Sequence, residues 1–134
     1  MDRLTVEAKT ENLDEVLEFI GRNLEAEDCS LKAQTQIFVA VEEIYVNIAH
    51  YAYTPEIGQA VISIRAEDGS AVIEFRDKGI PFDPLAKPDP DVTLAANKRK
   101  IGGLGIYMVK KTMDEVQYRR EDGENVFTMR KKLQ

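Results

Sequence analysis

The sequence has few of the residues on which several classes of protein depend. Its 134 residues include one cysteine and one histidine. A single cysteine, Cys29, forms no internal disulfide, which fits the reducing environment of the cytoplasm. One cysteine and one histidine, His50, also fall short of the ligand sets that bind zinc. We therefore expect a cytoplasmic protein without a disulfide framework.

Long apolar runs and an excess of positive charge are also missing. No stretch approaches the roughly 20 apolar residues of a membrane-spanning helix, and the charged start, Met1-Asp2-Arg3, is unlike a secretory signal. The chain has 18 basic and 24 acidic residues, a net charge of −6. A non-specific nucleic-acid coat needs a basic surface. We expect neither membrane insertion nor direct nucleic-acid binding.

What the sequence does contain is typical of one globular domain. Hydrophobic residues make up 43% and charged residues 31% of the chain, a composition that supports a buried core. The length suits a single domain, and no repeat or Ser/Gly linker divides it. We therefore treat residues 1–134 as one domain.

Hydrophobic spacing predicts the first half of the fold. Residues 4–8 alternate as in a half-buried strand. Asn12 is expected to cap a helix that runs to about residue 24, and Ser30 a second helix that runs to about residue 53. The second helix is apolar on most sides, which is typical of a buried helix.

The second half of the chain predicts two hairpins around a loop and a helix. Strands are expected at 60–66 and 71–75, and again at 116–120 and 126–131, each pair joined by an Asp-Gly turn. Residues 87–100 are predicted to form a long irregular loop, before a short helix over about 105–113. This order predicts an α+β two-layer sandwich, with a mainly antiparallel mixed sheet covered on one face by about three helices.

The first candidate site is on the buried helix. Glu43 and Asn47 are one turn apart on one face. Burying a carboxylate is costly without compensation, and the pair would suit a Mg²⁺ ion held by the Asn carbonyl with a carboxylate ready to take a proton. Glu42 competes for that second role, but only Glu43 is one turn before Asn47. The alternative is a pair that simply reaches solvent at the helix edge.

The second candidate follows a predicted strand. Asp77 stands at the strand end, where its carboxylate is able to accept a hydrogen bond from the exocyclic amine of adenine. Gly79 has no Cβ and would let a base approach the backbone closely. The alternative is an ordinary Asp-x-Gly turn, although the continuation through residues 81–84, Pro-Phe-Asp-Pro, is more distinctive.

The third candidate is a basic and glycine-rich segment. Lys98, Arg99 and Lys100 precede a turn with Gly103, Leu104 and Gly105 at the start of a helix. Free N–H groups and the positive end of the helix dipole attract phosphates there. It matches neither a Walker motif nor a full dinucleotide fingerprint. The alternative is a helix cap beside a solvated basic loop.

The three segments together resemble a known set of motifs. Glu43-x-x-x-Asn47, then Asp77-x-Gly79, then Gly103-x-Gly105 after a long loop are similar to the N, G1 and G2 boxes of the Bergerat-fold ATP-binding superfamily. Within it, residues 42–53, 81–84 and 102–106 look most like the anti-sigma factor serine kinases. The resemblance covers essentially the whole chain and implies a single histidine-kinase-like ATPase domain.

The resemblance implies a role for each candidate residue. Asn47 would bind Mg²⁺, Glu43 would be the general base, and Asp77 with Gly79 would contact adenine. The phosphates of ATP would meet the turn at residues 103–105 and the basic side chains of Lys98 and Arg99. Thr128, on the last strand, would join the adenine network through water.

The resemblance also implies a function and its partners. The expected protein is an ATP- and Mg²⁺-dependent serine/threonine kinase that phosphorylates an antagonist of the STAS fold, sequesters a sigma factor, or both, as a homodimer. The alternative is a non-catalytic module of the same fold that responds to ATP or ADP. A sensor histidine kinase fits less well, because the chain offers no room for a dimerising helix pair.

Overall fold

The computed structural model describes residues 2–52, 58–86 and 103–134. The strands and α-helices are, in chain order, β1 (Asp2–Glu7), α1 (Leu13–Ala26), α2 (Leu31–Asn47), β2 (Gln59–Glu67), β3 (Ser70–Asp77), α3 (Gly103–Thr112), β4 (Glu115–Glu121) and β5 (Glu124–Lys132). Short 3-10 turns are present at Thr10–Asn12 and Pro84–Ala86. No helix within the described ranges is long and apolar enough to span a membrane.

The strands form one five-stranded sheet in the order β1-β2-β3-β5-β4. Every neighbouring pair is antiparallel. Both predicted Asp-Gly turns are present, and all four turn residues have positive φ, with 52° and 76° at Asp68 and Gly69 and 52° and 77° at Asp122 and Gly123. Positive φ at both central residues gives a two-residue turn whose twist matches that of the flanking strands. The sequence prediction of two antiparallel hairpins is confirmed.

The core lies between the helices and one face of the sheet. Alternate residues of β2, β3 and β5 point towards the helices, which contribute the apolar faces of α1, α2 and α3. The buried cluster includes Val16, Ile20, Leu24, Ile37, Val41, Ile44, Tyr45, Ile62, Ile73, Phe75, Ile106, Val109, Phe127 and Met129. The predicted α+β sandwich with helices on one face is confirmed.

The opposite face of the sheet carries charged side chains. Arg76 forms ion pairs with Glu74, Glu121 and Glu124, and Arg119 pairs with Glu74 and Glu121. These partly exposed pairs contribute little to stability individually. They mark this face as the solvent side of the sheet.

One predicted capping bond and one predicted helix end differ from the structure. Asn12 stands before α1 but makes no capping bond, since its side-chain amide donates instead to the carbonyl of Glu7 at 2.9 Å. The α-helical part of α2 ends at Asn47, and the π-helical turn Ile48–Ala52 continues it. Spacing alone does not distinguish an α-helical from a π-helical turn, because both keep apolar residues facing inward. The Ser30 cap is confirmed, with Oγ accepting from the N–H of Ala33 at 3.1 Å.

Candidate functional site

The first part of the site lies near the end of α2. The side-chain nitrogen Nδ2 of Asn47 donates a hydrogen bond of 3.3 Å to Oε1 of Glu43. Both residues are partly buried. Burial raises the pKa of the Glu43 carboxyl, the bond from Asn47 lowers it and the nearby charge of Glu42 raises it, with a net upward shift. Glu43 therefore holds a proton more strongly than an exposed glutamate does.

The first turn of α3 reaches the same carboxylate. Gly105 lies directly against Glu43, and a Cβ built on Gly105 would overlap the carboxylate carbon and both carboxylate oxygens. Gly103 and Leu104 belong to the same turn, near the positive end of the helix dipole. The structure thus brings Glu43, Asn47 and Gly105 together at the contact between α2 and α3.

The second part of the site lies at the end of β3. Asp77 is only 4% exposed, and its Oδ1 accepts hydrogen bonds of 2.9 Å from the backbone N–H of Gly79 and from Nδ2 of Asn125. Burial raises the pKa of the Asp77 carboxyl and outweighs these two bonds, which lower it. Within the described residues no donor reaches Oδ2, which leaves one oxygen of this buried carboxylate available.

Asn125 is a site residue that the sequence reasoning missed. It is opposite Asp77 in the register of β3 and β5 and is 5% exposed. Its position directly after the Asp-Gly turn and Glu124 was visible in the sequence. The pairing that places it beside Asp77 was not, because the two residues are 48 positions apart in the sequence.

The position of Thr128 contradicts the role predicted for it in the site. In the register of the sheet it is opposite Glu74, and neighbouring residues of a strand point to opposite faces. Since Phe75 and Asp77 point towards the helices, Glu74 and Thr128 point to the solvent side. Thr128 therefore does not reach Asp77, and the predicted role in the adenine network is wrong.

A small cavity of about 30 Å³ connects the two parts of the site. The residues that line it are Ile44, Asn47, Ile48, Phe75, Asp77, Phe82, Pro84, Tyr118, Asn125 and Phe127. At its edge the ring of Phe82 stacks on that of Tyr51, with centroids 5.7 Å apart. Asn47 from α2 and Asp77 from β3 thus face one apolar-walled space, although they are 30 positions apart in the sequence.

Two of the predicted residues lie outside the described part of the chain. They are Lys98 and Arg99, which belong to the predicted loop at 87–100. Gly79 lies in the turn after β3, where its carbonyl accepts a hydrogen bond of 2.8 Å from Nη1 of Arg120. The candidate residues that the structure describes therefore form two groups, one around Glu43 and one around Asp77, with Asn47 contributing to both.

The chain belongs to the family described as the histidine kinase-like ATPase domain, whose model matches residues 6–131. Among curated proteins it is similar to the serine-protein kinases RsbW of Bacillus cereus (strain AH820) and Bacillus anthracis, with 28% identity over 92 residues. The match covers 66% of this chain and 58% of each relative, so the chain matches little more than half of their length. The resemblance to the anti-sigma factor kinase family is thereby confirmed.

Solved structures share the fold. The RsbU and RsbW domains of Rv1364c from Mycobacterium tuberculosis superpose with a TM-score of 0.65 at 14% identity, over 99% of this chain and 33% of that one. The catalytic domain of the histidine kinase ThkA superposes with a TM-score of 0.57 at 12% identity, over 99% of this chain and 98% of that one. At such identities the likeness establishes the fold alone.

Proposed function

We propose that this chain is an ATP- and Mg²⁺-dependent protein serine/threonine kinase that acts as an anti-sigma-type switch. The observation that carries the proposal is the position of the Glu43 carboxylate. It is partly buried, hydrogen-bonded to Asn47 and in contact with the first turn of α3. A protein that only binds a nucleotide gains nothing from a partly desolvated carboxylate there, whereas a proton acceptor does.

The adenine of ATP would bind in the cavity beside Asp77. Its exocyclic amine is a hydrogen-bond donor, and Oδ2 of Asp77 is the acceptor left open once Oδ1 has taken two bonds. Phe82, Phe75 and Phe127 supply apolar walls for the ring. The cavity is smaller than the roughly 300 Å³ of a typical ligand pocket, so the lining side chains must move apart to admit the base.

Asn47 suits the role of magnesium ligand. Its Nδ2 is directed at Glu43, which leaves the carbonyl oxygen Oδ1 for a hard cation. In the part of the chain that the structure describes, no group of three or more His, Cys, Asp or Glu side chains gathers around one point. Mg²⁺ accepts such sparse protein ligation when phosphates and water complete its shell. When bound, it would neutralise phosphate charge.

Glu43 would accept the proton of the substrate hydroxyl. As the oxygen of a serine or threonine attacks the γ-phosphorus, the bond from that phosphorus to the ADP oxygen breaks and the hydroxyl proton passes to Oε1 or Oε2 of Glu43. The first turn of α3, with Gly103, Leu104 and Gly105, would receive phosphate oxygens. Lys98 and Arg99 remain predicted phosphate contacts.

The proposed partners follow from the family. The substrate would be an antagonist of the STAS fold, and a sigma factor would be the protein held inactive, with the kinase acting as a cytoplasmic homodimer. The similarity to proteins named serine-protein kinases supports this choice of hydroxyl substrate. No sequence motif of this chain selects between the two partners.

The decisive experiment is phosphate transfer from γ-labelled ATP to a STAS-domain protein of the same organism. Wild type is expected to label a serine or threonine of that protein. Glu43→Gln is expected to abolish transfer and to keep ATP binding, and Glu42→Gln serves as the matched control with near-normal transfer. Asn47→Ala is expected to remove the Mg²⁺ dependence of ATP binding.

Three outcomes separate the alternatives. Undiminished transfer in Glu43→Gln would exclude Glu43 as the base. Mg·ATP binding by calorimetry without transfer to the STAS protein would favour a nucleotide-responsive interaction module. No ATP binding by wild type would exclude both functions.

A further inference from the structure

Asn125 uses all four of its hydrogen-bonding valences in one place. Its Nδ2 donates to Oδ1 of Asp77 at 2.9 Å and to the carbonyl of Ile80 at 2.8 Å. Its Oδ1 accepts from the hydroxyl of Tyr118 at 2.5 Å and from the N–H of Phe82 at 3.2 Å. Two acceptors face the nitrogen and two donors face the oxygen, so the amide has only one orientation that satisfies all of them.

This orientation determines how Asp77 is presented to the cavity. Nδ2 of Asn125 and the N–H of Gly79 together saturate Oδ1. Rotation of the Asp77 carboxylate would break two hydrogen bonds in a buried setting, where an unsatisfied polar group is costly. The second oxygen, Oδ2, is therefore kept as a hydrogen-bond acceptor rather than being exchanged with Oδ1.

We propose that Asn125 is a positioning residue that makes the site select 6-aminopurines over 6-oxopurines. The inference rests on the proposed ATP-binding function of the same cavity. Adenine presents a donor at position 6, and hypoxanthine presents an acceptor there. A fixed carboxylate acceptor binds the first and repels the second, whereas a carboxylate that is free to turn or to take a proton discriminates less.

Arg120 provides a matched control. It also holds the turn after β3, since its Nη1 donates to the carbonyl of Gly79 at 2.8 Å. Unlike Asn125, it makes no hydrogen bond to the Asp77 carboxylate in the described structure, and it acts on that carboxylate only through its positive charge, which lowers the pKa of Asp77. Arg120→Lys keeps the positive charge and loses the guanidinium bond to the turn, so it should weaken both nucleotides alike and leave their ratio unchanged.

The experiment is titration calorimetry of the full chain with Mg·ATP and Mg·ITP, which differ in the group at position 6 and in the proton that ITP carries on N1. Wild type is expected to prefer ATP strongly. Asn125→Asp places an acceptor against Oδ1 of Asp77, and we expect the ATP/ITP affinity ratio to fall about tenfold or more. Asn125→Ser removes both Nδ2 bonds without adding charge, and the same direction is expected. Arg120→Lys, which keeps the positive charge near Asp77, is expected to keep the wild-type ratio.

The possible results are distinguishable. A wild-type ratio in a folded Asn125→Ser or Asn125→Asp protein, or a wild type that binds ATP and ITP equally, would overturn the positioning role and leave the kinase proposal standing. An equal fall of the ratio in Arg120→Lys would show that turn stability alone is responsible, and would also overturn the positioning role. A wild type that binds no ATP would remove the proposed function together with this inference.

Discussion

Gly105 lies against the carboxylate of Glu43, with no room for a side chain between them. A Cβ on Gly105 would overlap the carboxylate carbon and both oxygens. The two residues belong to different helices, and they meet where the N-terminal turn of α3 faces α2. The glycine at this position is required by the carboxylate, because the backbone of α3 is ordinary α-helix there.

The substitution Gly105→Ala should therefore lower phosphate transfer without lowering the stability of the fold. The atoms in conflict are the far end of a flexible side chain, so Glu43 is expected to rotate away while α3 stays in place. Alanine is favoured over glycine by up to about 1 kcal/mol in a helix interior, so in this first turn the melting temperature should be unchanged or slightly higher. Phosphate transfer should fall about 10²-fold or more, as expected when a general base is displaced.

Gly21→Ala is the matched control for that variant. Gly21 is within α1, and its added Cβ would be 3.2 Å from Cζ of Phe38, a contact that small shifts accommodate. It should change stability modestly and leave phosphate transfer intact. Normal transfer in Gly105→Ala would show that the position of the Glu43 carboxylate does not matter for the reaction.

The pH dependence of transfer should report the ionisation of Glu43. Burial raises the pKa of this carboxyl, and a proton acceptor works only when it is ionised. Activity should therefore be lost as the pH falls through a midpoint above about 4.3, the ordinary value for glutamate. Measured between pH 4.5 and 8, the wild-type rate should show this acid limb at constant ATP saturation.

The Glu43→Gln variant has no ionisable carboxyl at this position, so any residual transfer rate should not change with pH between 4.5 and 8. An identical acid limb in Glu43→Gln would assign the ionisation to another residue. ATP affinity, measured in parallel, distinguishes a loss of catalysis from a loss of binding.

The sequence was sufficient for elements whose cause is local. Both hairpins follow from Asp-Gly pairs that adopt positive φ, and the Ser30 cap follows from a side chain three residues before its donor. The π-helical turn after Asn47 was not predictable in this way, because its hydrophobic pattern is that of an α-helix. Local rules therefore predict where the hairpin strands occur along the chain, but they do not predict where every helix ends.

The sequence was also insufficient for the part of the site that depends on contacts between residues distant in the chain. Motif spacing pointed to Asp77, whereas Asn125 became visible only from the register of β3 with β5. A shift by one residue reverses which side chains face the cavity, and this explains why Thr128 was selected wrongly. Strand pairing between distant segments depends on the packing of the whole sheet, which single-sequence patterns do not contain.

Asp77→Asn should raise stability and lower ATP affinity. Because burial raises the pKa of the Asp77 carboxyl in the folded state, its ionised form opposes folding at neutral pH. The neutral amide avoids this cost, so the variant should be the more stable protein at pH 7, and the difference should shrink as the pH falls through the raised folded-state pKa towards the ordinary aspartate value of about 3.9. Denaturant titrations at pH 7 and pH 4 measure the difference in stability and its change with pH.

The same substitution should weaken ATP about 10- to 100-fold, the usual effect of losing a hydrogen bond to a charged group. Asparagine keeps an acceptor for Gly79 and Asn125 but presents an NH₂ group to the amine of adenine. Unchanged ATP affinity would show that Asp77 does not contact the base. Asp83→Asn, at an exposed carboxylate in the following turn, is the matched control.

Tyr45→Phe tests how α2 is attached to the sheet. The Tyr45 hydroxyl is 2.6 Å from the carbonyl oxygen of Lys9 and 3.0 Å from that of Glu7. Both carbonyls keep other partners, since Asn12 N–H bonds Lys9 and Lys9 N–H bonds Glu7. No buried acceptor is left unsatisfied, so the variant should lose only about 1 kcal/mol of unfolding free energy, within the range for a single hydrogen bond. ATP affinity should be unchanged. A loss above about 3 kcal/mol in denaturant titrations would mean that the hydroxyl fixes the position of α2, and with it Glu43 and Asn47.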